Sequence, residues 1–203
     1  MYAVHLLTRR MSNPRVIDLQ RAKRVLVYLM HTAHFGVTFR GEDEERIIGW
    51  ADSAFNSGEG ERKNCFGYCF QLGATSGMFV NICKRSTLIA QSSTEAELYA
   101  LAEACRELLW IRSFLSELNI SIVCDLINQD NTSTISMIKL VGVSERSKHI
   151  DVKFNFVKRL GKNKTVVCPH VATREVVADI FTKDLPDESF GGHSVTVLGR
   201  VQD

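Results

Sequence analysis

The stretch SSTEAELYALAEA, residues 92–104, places two glutamates at the head of an apolar run. Beyond them Leu101, Ala104, Leu108, Ile111, Leu115 and Leu118 recur at intervals of three and four, which predicts a long helix from about Thr94 to Leu118 with one buried stripe. Glu97 lies four residues before Leu101 and heads that stripe. Glu95 is rotated from it by about 200° at 3.6 residues per turn and faces elsewhere. Ser92 and Glu95 have the spacing of a capping box, which makes Glu95 a solvated cap. Thr94 and Glu97 have it too, so the helix alone leaves Glu97 open between a cap and a site. A carboxylate turned toward a core is costly unless a cation or hydrogen bonds satisfy it.

Before this helix three short apolar runs are separated by turns: IIGWADSAF, FGYCFQLG and GMFVNIC, with NSGEGERKN and ATSG between them. They read as an antiparallel meander. After the helix come a strand in ISIVCDLINQD, a short helix near Ser133 to Leu140, and a helix in KHIDVKFNFVKRL with Ile150, Phe154 and Val157 on one face. A last strand, KTVVCPHV, and a last helix, REVVADIFTKDL, complete the pattern. Three antiparallel strands followed by strand–helix alternation predict a mixed α/β sheet with helices packed on it. Upstream, VIDLQRAKRVLVYLMH sets Leu19, Ala22, Leu26, Leu29 and Met30 at helical spacing with Arg21, Lys23 and Arg24 between them, an amphipathic helix with a basic flank. The run from Gly41 to Arg46 then marks a boundary before the main domain.

The chain has 203 residues, enough for one full domain and a flanking segment. Its 45% hydrophobic and 24% charged composition is that of a folded globular protein. A net charge of +2 is too mild to announce a nucleic-acid binder and leaves the question to charge distribution. The six cysteines lack a paired C-x-x-C spacing and read as reduced core residues of an intracellular protein. No stretch reaches the roughly 20 apolar residues of a membrane span, and the basic residues near the N-terminus follow its apolar patch, the wrong order for a secretory signal. A cytoplasmic or nuclear location is expected.

Three further acids sit at the ends of elements. Asp52 lies on the first strand of the meander, Asp130 ends the strand CDLINQD before NTST, and Asp179 lies in VVADIFTK. Each has a plain reading: a turn residue, a strand-end or cap residue, and a partner for a nearby lysine. Asp125 rivals Asp130, and the NTST that follows favours Asp130. Together with Glu97 they form an oxygen-only donor set on separate elements, which suits Mg²⁺ or Mn²⁺ rather than zinc. Two such ions about 3.5–4 Å apart can stabilise the attacking and leaving oxygens of phosphodiester cleavage. The basic run RSKHIDVKFNFVKRLGKNK, with Arg146, Lys148 and Lys153, is a candidate phosphate track.

The segments GWADSAF, FGYCFQLG, AQSSTEAELYALAEACRELLWIRSFL, DNTSTISMIK, RSKHIDVKFNFVK and VVADIFTKDLP, in this order, resemble the ribonuclease H domain of copia-type LTR retrotransposon Pol polyproteins. The resemblance covers residues 47–186. It implies a ribonuclease H-like fold with a five-stranded mixed sheet flanked by helices. Residues 1–45 would be the C-terminal remnant of the reverse transcriptase or connection segment, 46–186 the ribonuclease H-like domain, and 187–203 a divergent tail. It implies an Asp-Glu-Asp-Asp site that falls on Asp52, Glu97, Asp130 and Asp179, holding two Mg²⁺ or Mn²⁺ ions. The implied activity is hydrolysis of the RNA strand of an RNA–DNA hybrid, with the reverse transcriptase and the rest of the polyprotein as partners, in a cytoplasmic virus-like particle or the nucleus. His170 precedes the last aspartate, in the region where some ribonucleases H carry a histidine that helps product leave; its position does not match that histidine cleanly, and a surface or strand-end histidine is the plainer reading. The chain departs from the family in FVNICKRSTLIAQ, which lacks the usual tryptophan, and in its tail. These departures admit a second reading, a catalytically inactive nucleic-acid-binding remnant.

Overall fold

A computed structural model describes residues 1–41, 46–55, 64–122, 124–139 and 148–200. Two N-terminal helices, α1 (Tyr2–Thr8) and α2 (Val16–His31), precede the strands β1 (Arg46–Ala54), β2 (Cys65–Leu72) and β3 (Met78–Arg85). The long helix α3 (Ser93–Glu117) leads to β4 (Cys124–Asn128), α4 (Thr132–Lys139) and α5 (Lys148–Lys162). Two 3₁₀ turns, Thr173–Glu175 and Val177–Phe181, come before a last helix, α6 (Asp187–Leu198). The sheet order is β3-β2-β1-β4, with β1, β2 and β3 an antiparallel meander and β4 parallel to β1.

Among the described residues four strands are formed where the resemblance implied five. The fifth segment does run beside β4: Val167 N–H donates to Asp125 O, Ile127 N–H to Val167 O, Gln129 N–H to Pro169 O and Val171 N–H to Gln129 O. The donor missing from this parallel series is the one at Pro169, which has no N–H. The ladder therefore breaks into isolated bridges at Val167 and His170.

β1 is buried on both faces because something covers each. Ile47 and Ala51 pack with Phe66, Phe70, Ile127 and the stripe of α3, whereas Ile48 and Trp50 pack with Met78, Val176, Val177, Ala178 and Phe181. On α3 the residues Leu101, Ala104, Leu108, Ile111 and Leu115 are buried as their spacing predicts. Ala96, Ala100 and Ala102 widen the buried face and let the helix lie close to the sheet. Leu118 does not belong to the stripe: it is the C-cap residue and 54% exposed. The close layers also need Gly49, where a Cβ would sit 2.4 Å from the Phe70 ring. Gly49→Ala is expected to lower the unfolding free energy by about 1–3 kcal/mol in a denaturant titration, because a packed ring must move aside.

Three other expectations change. The segment read as a last helix folds as the two 3₁₀ turns, and it covers one sheet face with Val177, Ala178 and Phe181. The divergent tail contributes α6, whose Leu198 O accepts from Thr38 N–H at 2.8 Å. α2 forms where the spacing predicts, but Leu19, Leu26, Leu29 and Met30 remain 55–76% exposed, so its apolar side is not packed on the domain. The boundary residues 42–45 lie outside the described ones. Among the described residues no helix is long and apolar enough to cross a membrane, and Cys65, Cys69, Cys83, Cys105 and Cys168 are free thiols.

Candidate active site

The sheet brings acids to one end. Asp52 sits near the C-terminal end of β1, and the parallel register pairs Trp50 with Asn128 on β4, so Asp130, two residues on, comes abreast of Asp52. The ends of parallel strands are where side chains from different elements converge in open α/β sheets. Asp52 shares the sheet face of Ile48 and Trp50 and meets the 3₁₀ segment that covers it. Lys183 Nζ lies 3.0 Å from Asp52 Oδ1 and 2.9 Å from Asp179 Oδ1, and Thr182 Oγ1 donates to Asp52 Oδ2. Glycine at position 67 permits this approach. Gly67 pairs with Asp52 across the meander, and a Cβ on it would stand 2.8 Å from Phe181 Cβ and 3.0 Å from Thr182 Cγ2.

Glu97 comes from the other layer, at the start of α3. Its Oε1 accepts from Ser53 N–H at 3.4 Å and its Oε2 from Gln129 Nε2 at 3.3 Å. The helix is capped by other groups: Ser92 Oγ accepts from Glu95 N–H at 3.2 Å, and Glu95 Oε2 accepts from Gln91 N–H at 2.7 Å. Glu95 is thus the cap, half-buried rather than fully solvated, while Glu97 is 6% exposed and turned inward. Asn131 caps α4 through an Oδ1 that accepts from Thr134 N–H at 2.9 Å, so Asp130 is not spent as a cap. The rival Asp125 is paired elsewhere, with Arg112 Nη1 at 2.9 Å from its Oδ2.

The electrostatics follow from crowding. Burial, and after it the charges of Asp52 and Asp130, push the Glu97 carboxyl up to about 9. Burial, and then Asp52, raise Asp179 to about 7 despite the Lys183 ammonium beside it. For Lys183 burial works against the charge, but Asp52 and Asp179 outweigh it and its affinity for the proton rises. Asp52, Asp179 and Glu97 therefore crowd about the Lys183 ammonium, and Asp130 adds its charge to Glu97 and Asp179. Such an excess of negative charge with oxygen-only donors fits a hard divalent cation. In the arrangement described, no three His, Cys, Asp or Glu side chains among the described residues are placed to hold a metal ion. Asp52 explains this in part, because its two oxygens are engaged by Lys183 and Thr182.

The other candidates separate. Lys153 is bonded to Glu103 and its ammonium lies 4.2 Å from the centre of the Tyr99 ring. His170 is exposed and bridges through its backbone to Gln129. Arg146 lies outside the described residues, and Lys148 begins α5. The residue that the sequence did not flag is Gln129. It is fully buried, and its Oε1 accepts from Asp130 N–H at 3.0 Å while its Nε2 reaches Glu97. Nothing in its one-dimensional context separates it from an ordinary strand-end amide.

Among known proteins, a retrovirus-related Pol polyprotein from transposon TNT 1-94 of Nicotiana tabacum is 29% identical over 189 residues, 93% of this chain. The Pol polyprotein from transposon RE1 of Arabidopsis thaliana is 28% identical over 190 residues, again 93% of the chain. LC11-RNase H1, isolated from compost, superposes with a TM-score of 0.51 at 14% identity, covering 68% of this chain and 93% of its own. The chain is similar over nearly its whole length to Pol polyproteins of plant transposons, and its fold is that of ribonuclease H. No family model matches it. It spans about 14% of the length of the TNT 1-94 relative and 13% of the RE1 relative, so a copia-type polyprotein is far larger than this ribonuclease H part. The likeness to LC11-RNase H1 carries the ribonuclease H fold and nothing finer.

Proposed function

We propose that the chain is a metal-dependent endoribonuclease that hydrolyses the RNA strand of RNA–DNA hybrids, working beside a reverse transcriptase in a Pol polyprotein. The observation that carries this reading is the meeting of Asp52, Asp179 and Glu97, from three separate elements, around one lysine, with Asp130 abreast of them. LC11-RNase H1 has also been solved in complex with an RNA/DNA hybrid, at a TM-score of 0.50 and 13% identity.

When bound, one or two Mg²⁺ or Mn²⁺ ions would supply charge stabilisation and activation of water. Asp52, Glu97, Asp130 and Asp179 would hold them. The protein's own part is orientation. Ser53 and Gln129 fix the two oxygens of Glu97, and Gln129 ties that carboxylate to the backbone of Asp130. Recognition of the RNA strand would draw on 2′-hydroxyl contacts across its wide minor groove, with α5 and His170 as candidate contacts.

The test is incubation with a labelled RNA–DNA hybrid and Mg²⁺, set against Asp130→Asn. Cleavage of the RNA strand by the parent chain, lost in the variant by about 100-fold or more, is the expected result. Binding of the hybrid without cleavage above the variant would make the chain a nucleic-acid-binding remnant instead.

A further inference from the structure

Lys183 is the positive charge about which the carboxylates are arranged. Its ammonium lies 3.0 Å from Asp52 Oδ1 and 2.9 Å from Asp179 Oδ1, and those two aspartates come from elements 127 positions apart in sequence. The lysine is half-buried, with 36% of its side chain exposed, whereas those of Asp52 and Asp179 are 1% and 8% exposed. An ammonium bridging two buried carboxylates does what a divalent cation would do there: it balances their charge and holds them together. It also takes the same oxygens.

We propose that Lys183 is a built-in occupant of one cation position, which holds Asp52 and Asp179 together in the metal-free protein and must swing out before a divalent ion can bind both. This inference rests on the proposal that the four acids bind metal. The geometry makes the exchange local. Lys183 is four residues from Asp179 on the same short segment, and its side chain opens toward solvent. Rotation of that side chain alone would free one oxygen of each aspartate, with no movement of the sheet or of α3. A cation drawn by Glu97 and Asp130 would not have to take the oxygens that Lys183 bonds, which are those of Asp52 and Asp179. The two positions should therefore fill in order, the one shared by Asp52 and Asp179 last.

Two measurements on the full chain without nucleic acid test this. In a Mn²⁺ titration followed by the paramagnetic resonance of free Mn²⁺, the parent chain is expected to bind one ion more tightly than a second. Lys183→Met should tighten the second by about tenfold or more, since a unit charge at this range in a half-buried site interacts by more than that factor. Equal affinities in the folded variant and the parent, or a weaker second ion in the variant, would overturn the proposal. The second measurement needs no variant. Labelling of Lys183 by an amine-acylating reagent, read by mass spectrometry, should rise several-fold when Mn²⁺ saturates the parent chain. Labelling that stays flat at saturation would show that the lysine keeps its place, and would overturn the proposal by itself. If Mn²⁺ binds as expected but the hybrid is not cut, the lysine inference stands and the nuclease reading falls. If no Mn²⁺ binds to either form, both fall.

Discussion

Glu97→Gln is expected to reduce hybrid cleavage by about 10³-fold, on the order of losing a preorganised charged group in a dry site, while the chain stays folded. The same variant should change how stability depends on pH. The metal-free Glu97 carboxyl is pushed from 4.5 up to about 9, so the folded state holds its proton more tightly than the unfolded state. Stability from such a group is complete below its unfolded value and is lost as pH rises toward the folded one. Asp179, raised from 3.8 to about 7, acts in the same direction over a lower window. Thermal melts of the metal-free parent should therefore fall in midpoint as pH rises from about 5 to about 9. Glu97→Gln should flatten the part of this decline above about pH 7 and leave the part due to Asp179. A parent chain whose midpoint rises across this window would contradict the crowding of acids on which the site rests.

The second large effect is expected from Gly67→Val. The added side chain must enter a space where even a Cβ would be 2.8 Å from Phe181 Cβ and 3.1 Å from the backbone oxygen of Ile82. The backbone of β2 is held in the meander, so the segment Val177–Lys183 is what gives way. A loss of about 3 kcal/mol in stability is in line with overpacking a tight contact. Cleavage should suffer more than stability does, by about 100-fold, because a shift of one ångström in reacting geometry can cost that much. Gly49→Ala is the comparison. It also forces a neighbour to move, but the neighbour is the Phe70 ring, away from the acids. Activity measured at a temperature where both variants are folded should separate them; equal activities would mean that the 3₁₀ segment does not position the site.

Much of this arrangement can be read from one dimension. The three-and-four spacing along Ser93–Glu117 is long enough to fix both the helix and its buried face, and with them the inward aim of Glu97. The capping spacing of Ser92 and Glu95 separated the two glutamates by the same local chemistry that the hydrogen bonds show. What escaped was decided by contacts between distant residues. Lys183 could be seen as a neighbour of Asp179, four residues away, but its bond to Asp52 spans 131 residues. The run VVADIF has the apolar content of a helix, yet it folds as a 3₁₀ turn pressed onto the sheet under Gly67. The missing fifth strand turns on one residue, Pro169, whose lack of an N–H matters only once β4 is its neighbour. Leu118 fits the periodicity but is the C-cap residue, past the last helical turn, and is left exposed.

Thr38 joins the two ends of the chain. Its N–H donates to Leu198 O at 2.8 Å and its carbonyl accepts from Gly77 N–H at 2.7 Å, while Arg40 Nη1 donates to Gly199 O at 2.7 Å. Residues from before β1 and after the 3₁₀ turns are thus clasped over the start of β3, beside Met78 and Val197. Anyone choosing where to trim a recombinant fragment meets a consequence that a linear diagram hides. Cutting at residues 46 and 186 removes both halves of the clasp at once, and leaves the Gly77 N–H and one face of the core open to water. Keeping either half alone retains a strand of backbone whose partner has gone, so the two flanks are best carried or discarded as a pair.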